Sequence, residues 1–496
     1  MKRNLLFIIA LFVCACTFAQ GEIDALRMSR NDLSGSARGQ AMAGAFGALG
    51  GDITGVAVNP AGIGVYRSSE VLATLGFTSN NIQTNLNGTS NKQDKFKFAF
   101  DNISYIGSLP TGNDNMPVIN IGFTYNNLKN FDRNYIAGGK GIASSLTDYI
   151  SDITRNYVEG GNRPINGDVP WLSQMAWKTC LLDNHDKSVL HEGELVDPHL
   201  EVRERGHIDS YDFSIGSNLG NSFYWGATLS MTDIYYTMDS WYDETFQDGG
   251  GFMLDNYLQT EGYGLQLGLG LIWRPTDVLR MGVSFHSPTW YSMTDYYQGT
   301  MDADVPDDKG KRPDPYSVPE ETGNFNYRFQ SPYSLNYSIA GVFGGKAIVS
   351  LDYEIKDYTS MGFHDESGYA MNEQNDYIKE DFKVTSTVRA GFEYRFTSQF
   401  SARLGYAYMQ NPYEKSFKNN EKEVMVVGTI PHYTLEGDKH YFTAGIGYRF
   451  TPNFYMDLAF VYKTQEDDLY FYPLIAEKVS FKNNLYKGLL TAGYRF

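Results

Sequence analysis

The sequence predicts an all-β fold, a transmembrane β-barrel of fourteen antiparallel strands with a short helical segment, or hatch, inside its lumen. Three observations lead to this fold class. They are an N-terminal export signal, a composition rich in aromatic residues and glycine, and a period-two pattern that recurs along the chain. A barrel needs all three, because it must leave the cytoplasm, face lipid with one side of each strand, and close on itself.

The N-terminus has the parts of a secretory signal peptide, which we place at residues 1–19. Two basic residues open the chain, and the apolar run after them is too short to span a bilayer as a helix. Thr17-Phe18-Ala19 then supplies the small residues that signal peptidase recognises. Two alternatives stay open, an N-terminal anchor helix and lipidation at Cys14 or Cys16, and both also take the chain out of the cytoplasm.

Composition favours a membrane barrel over a set of soluble domains. The chain contains 37 Tyr, 31 Phe and 50 Gly residues, while charged residues make up only 20%. No apolar run after the signal is long enough for a membrane helix, so strands are the remaining way to cross a bilayer. A large soluble β-protein is the alternative. The net charge of −17 excludes a general nucleic-acid binder.

The strand pattern is clearest in the C-terminal third. Between Tyr441 and Phe450, apolar side chains such as Phe442 and Ile446 alternate with small or polar ones. The unit Gly-x-x-Tyr-Arg-Phe-Thr occurs at 391–397 and again at 445–451, each time before a short turn and a further strand. Short turns at one end and long loops at the other are typical of outer-membrane barrels.

Applied to the whole chain, this pattern places the barrel at residues 70–496, with its longest extracellular loop at 132–206. The fourteen strands are expected to start near Glu70, Lys95, Met116, His207, Ser222, Tyr257, Leu279, Phe325, Lys346, Phe382, Phe400, His440, Phe454 and Leu485. Short connections, which are periplasmic in such barrels, fall after every second strand. With an even number of strands, the last strand therefore ends on the periplasmic side. Phe496, a terminal aromatic on an outward face, is expected to be read by the barrel-assembly machinery.

Residues 20–69 do not alternate and are expected to form the hatch. Between Gly35 and Gly64 there are nine Gly and seven Ala residues, too small and polar for a lipid-facing strand but suited to close packing inside a barrel. Asn59-Pro60-Ala61-Gly62 has the residues of a helix start, since Asn caps, Pro suits the first position, and Gly permits a sharp exit.

The run from Ala37 to Asp52, followed by Val58-Asn-Pro-Ala-Gly-Ile-Gly64, resembles the N-terminal hatch of the long-chain fatty acid transporter family, outer-membrane channels for hydrophobic compounds. The resemblance implies that outer loops capture a hydrophobic ligand, that a lumenal pocket binds it, and that it leaves sideways near strand 3. It implies that Asn59, Pro60, Ala61 and Gly62 form the gating element of the hatch beside that exit.

Within strand 3, Gly122 and the pair Asn126-Asn127 are the lateral-gate candidates, because glycine can mark a bend in a strand. In the longest loop, Trp171, Trp177, Leu181 and Leu182 are candidates for ligand capture, with ordinary loop packing as the alternative. The same loop holds His185, His191 and His199, with His207 directly after it, but their spacing fits no metal or haem motif. We therefore predict no metal and no cofactor.

The sequence contains no nucleophile elbow, phosphate-binding loop or zinc signature, so we expect no enzyme. The predicted function is passive uptake of fatty-acid-like small molecules by a monomer in the Gram-negative outer membrane, in contact with its lipids. One alternative is a diffusion porin for polar solutes, which lumenal Arg389, Arg403, Arg449 and Arg495 would suit. The other is a surface receptor of the haemin type or an adhesin.

Overall fold

In the computed structural model, residues 21–159, 169–306, 310–425 and 428–496 are described, so the predicted signal peptide lies outside the described part. The strands are β1 Glu70–Leu86, β2 Thr89–Asn113, β3 Met116–Asn130, β4 Arg133–Gly138, β5 Val196–Leu219, β6 Phe223–Phe246, β7 Gly251–Trp273, β8 Leu279–His286, β9 Trp290–Ala303, β10 Tyr316–Gln330, β11 Ser334–Phe343, β12 Ala347–Asp357, β13 Gly362–Asp365, β14 Val384–Arg395, β15 Phe400–Met409, β16 Tyr433–Leu435, β17 Lys439–Arg449, β18 Phe454–Tyr470 and β19 Val479–Arg495.

The predicted fold class is confirmed: fourteen antiparallel strands close into a barrel within the described residues. The nineteen labelled strands form fourteen barrel strands because three barrel strands are each interrupted once: β3 continues as β4, β8 as β9, and β10 as β11. The two short strands β13 and β16 are not counted separately. Closure comes from β19, which pairs with β1 from Ser480↔Asn85 to Arg495↔Glu70. Every barrel strand therefore has a neighbour on each side, which removes the open edges that would otherwise aggregate.

The outward face of β7 shows where lipid is expected to contact the barrel. Tyr263 and Trp273 flank a row of four leucines, and each of the six side chains is exposed. They are Tyr263, Leu265, Leu267, Leu269, Leu271 and Trp273. An apolar band about 10 residues long between two aromatic residues matches the hydrocarbon thickness that a tilted strand must cross.

Several strands begin earlier than predicted, because they continue beyond this band on the loop side. β5 starts at Val196 rather than near His207, and β2, β7, β10 and β19 are also extended at that end. Here the alternation is inverted: Leu200 and Val202 are fully buried on the inner side, while Glu201 and Arg203 lie on the outer side. The inner side packs against the loops in one large apolar cluster.

The helices are α1 Glu22–Ser29, α2 Ala37–Ala41, α3 Ile53–Val58, a 3₁₀ helix Pro60–Val65, α4 Leu146–Glu159, α5 Trp171–Lys178, a 3₁₀ turn Tyr358–Ser360, α6 Asn372–Asp381 and α7 Lys415–Lys418. None of these described helices is long and apolar enough to cross a membrane. Residues 21–69, which we call the hatch below, pack against the inner faces of the strands, and most of their side chains are buried.

Candidate functional site

Asn59 organises the glycine-rich end of the hatch. Its side-chain oxygen accepts a hydrogen bond from the Ala61 amide at 3.0 Å and so caps the 3₁₀ helix, as the sequence predicts for an Asn before Pro60. Its amide donates to the Gly47 carbonyl at 2.7 Å and to the Leu271 carbonyl of β7 at 3.2 Å. The side chain is fully buried, so these bonds join two hatch segments and the barrel wall.

Glycines on the wall allow this close approach. A Cβ atom on Gly226 of β6 would lie 2.1 Å from the Pro60 carbonyl oxygen, and one on Gly270 of β7 would lie 1.9 Å from Asn59 Oδ1. A Cβ atom on Gly282 of β8 would lie 2.4 Å from the Gly47 carbonyl oxygen. The hatch backbone therefore rests directly on the wall backbone, which only glycine permits at these positions.

The contact with strand 3 comes from the other end of the 3₁₀ helix. Asn120 of β3 donates to the carbonyl of Ile63 at 2.7 Å and to that of Tyr66 at 3.1 Å. The resemblance to the transporter family places Asn59 to Ala61 beside strand 3, but in this chain the backbone of these residues packs on the wall at β6 and β7. One short helix thus spans the wall from β7 to β3.

The barrel wall has a gap between strands 2 and 3. The β2–β3 ladder runs from Asn113↔Met116 only as far as Asn102↔Asn126. Beyond that point, residues 89–101 of β2 pair with β1, whereas the rest of β3 and β4 pair with β5. This stretch, which we call the wall gap, is crossed by a hydrogen bond from Asn102 to Asn126 Oδ1 at 2.6 Å below and by a Lys97–Asp132 ion pair above.

The three lateral-gate candidates occupy different places relative to this gap. Gly122 lies in a continuous ladder, opposite Ile106 on one side and Ser214 on the other. Asn126 is the last β3 residue paired with β2, and its amide donates to Asp212 at 2.9 Å. Asn127 donates to Asp209 at 2.7 Å, and the pairing register with β5 shifts just after it. The two asparagines therefore mark the point where strand 3 leaves strand 2.

A cavity of about 130 Å³ lies under the extracellular loops, between α1 and the segment 424–434, as far as that segment is described. We call it the loop-side cavity. Part of its lining is apolar, with Leu26, Met238, Leu258 and Ile430, and part is charged. A smaller cavity of about 40 Å³, the wall cavity, lies between Ala99 of β2 and residues 127–130 of β3, at the wall gap.

A third cavity, of about 230 Å³, has many hydroxyl groups in its lining. Its lining includes Ser210, Thr228, Ser230, Thr232, Thr385 and Thr387. The hatch segment 28–34 borders it on one side. Apolar residues such as Leu33 and Val56 and charged ones such as Arg389 also line this third cavity, so its surface is mixed as well.

The capture candidates in the longest loop divide into two pairs. Leu181 and Leu182 are buried in the apolar cluster beneath the loops, where they pack with α4 and α5. Trp171 is half-buried and its ring lies 5.4 Å from that of Tyr297, which lines the loop-side cavity. Trp177 is half-buried beside Lys178, whose ammonium lies 5.7 Å from the ring centroid. Trp171 is therefore the capture candidate nearest the cavity.

No metal site is formed by the histidines of this loop. Among the residues that the structure describes, no group of three or more His, Cys, Asp or Glu side chains is arranged to hold a metal ion. His207 instead lies 3.4 Å from Asp233 and 3.7 Å from Asp209 on the outer face of β5 and β6.

Sequence reasoning missed Asp32 and Lys129, which line both the loop-side and wall cavities. Asp32 lies in the hatch between α1 and α2, and Tyr441 donates to its carboxylate at 2.6 Å. Burial alone would raise the pKa of Asp32, but Lys439, Lys463 and this hydrogen bond outweigh burial and hold the pKa well below its usual range. The sequence feature that could have pointed to Lys129 is the interruption of the apolar–polar alternation at residues 126–130.

Comparison with known proteins agrees with this geometry. Residues 251–470 match the family described as outer membrane protein transport protein (OMPP1/FadL/TodX). The fold is similar to that of a Pseudomonas aeruginosa FadL homologue, with 12% identity, a TM-score of 0.53, and coverage of 94% of this chain and 100% of the other. The Pseudomonas putida toluene transporter TodX is also similar, with 13% identity, a TM-score of 0.53, and coverage of 94% of this chain and 99% of the other.

The Ralstonia pickettii toluene transporter TbuX is also similar, with 14% identity, a TM-score of 0.50, and coverage of 93% of this chain and 98% of the other. No curated protein sequence matches the chain significantly. The family match over residues 251–470 agrees with the resemblance drawn from residues 37–64 and with the predicted location in the Gram-negative outer membrane. The family consists of transport proteins, in agreement with the prediction of no enzyme.

Proposed function

We propose that this chain is a member of the outer membrane protein transport family (OMPP1/FadL/TodX), takes up fatty-acid-like hydrophobic molecules passively and releases them sideways through the wall gap. The ligand is captured by the outer loops, with Trp171 at the rim of the loop-side cavity. It then moves past Lys129 into the wall cavity and leaves between β2 and β3.

The observation that carries this proposal is the junction of the two cavities beside the wall gap. Asp32, Lys129 and Lys463 line both the loop-side cavity and the wall cavity, so the two cavities are direct neighbours. On the outer side of the gap, Phe98 and Phe100 of β2 face outward and are half exposed. A ligand leaving here would pass from apolar protein surface to lipid without entering water.

Physical chemistry favours this path for an apolar ligand. Each buried CH₂ group is worth about 0.8 kcal/mol relative to water, so a chain of ten carbons would lose several kcal/mol in a water-filled pore. The hatch meanwhile blocks the straight path, since its helices bond to several strands around the barrel. Ala37 N–H, for example, donates to Thr491 of β19, and Gly47 N–H donates to Asp352 of β12.

The test is to fill the wall cavity. Ala99→Trp places a large side chain there and is expected to reduce dodecanoate uptake about tenfold in cells that lack another transporter, while binding to the purified protein is unchanged. Ala227→Trp, on the lipid-facing side of β6, is the matched control and should leave uptake unchanged.

If uptake by the Ala99→Trp variant equals that of wild type, release does not pass through the wall gap. A large steady current through the wild-type protein in planar bilayers would favour a diffusion porin instead. Loop deletions that abolish binding of a partner yet leave uptake unchanged would favour a surface receptor or adhesin.

A further inference from the structure

The sequence unit Tyr-Arg-Phe ends three strands of the C-terminal third, and the proposed uptake path does not use it. It occurs at 394–396, 448–450 and 494–496. In each copy the Tyr and Phe rings pack on one another on the outer face, whereas the Arg lies on the inner face. These strands end on the side of the short turns, which faces the periplasm in outer-membrane barrels. The repeat therefore places Arg395, Arg449 and Arg495 inside the periplasmic mouth.

These three arginines line one cavity of about 100 Å³ in the mouth of the barrel. Two further arginines, Arg38 of α2 and Arg403 of β15, line it from the lumen side. The carboxylates in its lining are those of Asp52, Glu393 and Asp457, so five guanidinium groups meet three carboxylates. In a chain whose net charge is −17, this positive excess sets the periplasmic mouth apart from the rest of the surface.

The inner arginines already use the inner carboxylates. Glu393 is buried and accepts hydrogen bonds from Arg38 Nε at 2.8 Å and from Arg403 Nε at 2.7 Å. Arg403 also pairs with Asp457. Arg395 lies 3.4 Å from the same Glu393, farther away than the other two arginines. The charge of Arg395 is therefore only partly compensated, because the carboxylate beside it is shared by three guanidinium groups.

The outer arginines are open to the periplasm. The side chain of Arg395 is 49% exposed, and that of Arg495 is 34% exposed although it pairs with the buried Glu70 at 2.7 Å. Arg449 is exposed as well, and its main-chain amide donates to the carbonyl of Gln399 in the neighbouring turn at 2.9 Å. An exposed guanidinium group can still bind a carboxylate with two parallel hydrogen bonds.

The spacing of the three arginines favours an extended ligand over a small anion. β15 lies between β14 and β17, and β18 lies between β17 and β19, so successive arginines start about 10 Å apart. Residues three positions apart in an extended peptide are also separated by about 10 Å. We propose that the periplasmic mouth binds an extended acidic segment of a periplasmic protein, whose carboxylates pair with Arg395, Arg449 and Arg495.

Neutral groups in the lining suit the main chain of such a segment. Ser398 and Gln399, in the turn between β14 and β15, line the same cavity and carry hydroxyl and amide groups. Each contact is weak, but contacts on one segment reinforce each other because every one after the first is intramolecular. This docking is independent of the uptake path, since the wall gap lies on the loop side of the barrel.

The experiment measures the fluorescence anisotropy of labelled hexaglutamate with the full protein in lipid nanodiscs, which leave both ends of the barrel accessible. Wild type is expected to bind with a Kd below about 1 mM at low salt, and Arg395→Gln/Arg449→Gln should bind about tenfold more weakly, because each lost exposed ion pair costs about threefold. Arg205→Gln/Arg328→Gln removes two exposed arginines from the outer face of β5 and β10. This charge-matched control should leave binding unchanged.

Four results would overturn the proposal. They are no binding of hexaglutamate by wild type, an equal loss in both double variants, equally effective competition by free glutamate at the same carboxylate concentration, and tighter binding of a sulfated oligosaccharide of the same charge. The third would indicate a small-anion site and the fourth an anionic glycan. Should the mouth variant fail to fold, Arg449→Gln alone, expected to bind about threefold more weakly, still decides. Dodecanoate uptake should be unchanged in every variant, so this docking and the proposed function fail separately.

Discussion

Replacing Gly226 by alanine is expected to push the hatch off the barrel wall. The new Cβ atom would lie 2.1 Å from the Pro60 carbonyl oxygen and 2.8 Å from the Ala61 amide nitrogen, and both are backbone atoms. Backbone atoms cannot rotate away as a flexible side chain can. The 3₁₀ helix must therefore move as a unit, by about 1 Å, to restore ordinary contact distances.

The size of the effect follows from the bonds that such a movement breaks. Asn59 donates to Leu271 at 3.2 Å and to Gly47 at 2.7 Å, and neither hydrogen bond survives a shift of about 1 Å away from its acceptor. Each bond contributes about 1 kcal/mol net, and crowding in a packed interior costs about 1–3 kcal/mol more. We expect hatch docking to weaken by about 2–4 kcal/mol.

Planar-bilayer recording measures this directly. The wild-type protein should show little steady current, while Gly226→Ala should show more frequent and larger openings, because a loosened hatch admits water and ions. Gly488→Ala on β19 is the matched control, since no atom lies within 4 Å of its Cβ position. If Gly226→Ala and Gly488→Ala record the same conductance as wild type, the hatch does not seal the barrel through this contact.

Two further predictions concern the hatch. Asn59→Ala removes the one hydrogen bond that the side chain accepts and the two that it donates, without adding bulk. Channels of this variant should therefore open about as often as those of Gly226→Ala. Unchanged conductance would mean that these hydrogen bonds do not hold the hatch in place. Burial raises the pKa of Glu22 at the start of α1 from 4.5 to about 8, so the folded state holds its proton where the unfolded state has lost it. The free energy of unfolding should therefore fall as pH rises from about 4.5 to 8, by about 5 kcal/mol at most. In heat-unfolding gels, Glu22→Gln should make the unfolding temperature less dependent on pH over this range. If the variant and the wild type show the same pH dependence, Glu22 does not have this role.

The membrane-spanning part of the barrel could be predicted because lipid imposes one rule on every strand. Outward residues such as Leu265 and Leu267 must be apolar, so alternation and turn length are enough to count the strands. The extensions could not be predicted in the same way. Around Leu200 the apolar side faces inward toward the loops, which is the pattern of a soluble sheet. A rule built on outward apolar residues therefore starts the strand too late along the chain.

The place where residues 59–61 rest on the barrel wall could not be predicted from the sequence. The Gly and Ala content of residues 35–64 indicates close packing without saying against what. The glycines that receive it, Gly226 and Gly270, stand in strands that are otherwise ordinary, and only the folded barrel brings them to Pro60 and Asn59. Lys129 is similar, because the hydrogen bond that its ammonium donates to the Arg27 carbonyl forms only in the assembled lumen.

Three of the four arginines that would suit a porin, Arg389, Arg403 and Arg495, form ion pairs inside the barrel, whereas Arg449 is exposed. Arg403 lies between Glu393 and Asp457, and all three side chains are buried. Arg38 of the hatch pairs with the same Glu393 at 2.8 Å. Arginines whose charge is neutralised by these ion pairs cannot also attract solutes through an open lumen. Removing one partner would leave the other charge buried and unpaired, which would lower the free energy of unfolding by about 3–5 kcal/mol.

Arg389 with Glu354 and Arg495 with Glu70 follow the same arrangement. A solute crossing this barrel along its axis would have to break several such pairs at once. A solute that took the proposed route through the wall gap would meet the Lys97–Asp132 pair, the Asn102–Asn126 hydrogen bond and the side chains at Lys129. The polar network and the broken ladder thus have one consequence: the axial path is closed by many interactions and the lateral path by few.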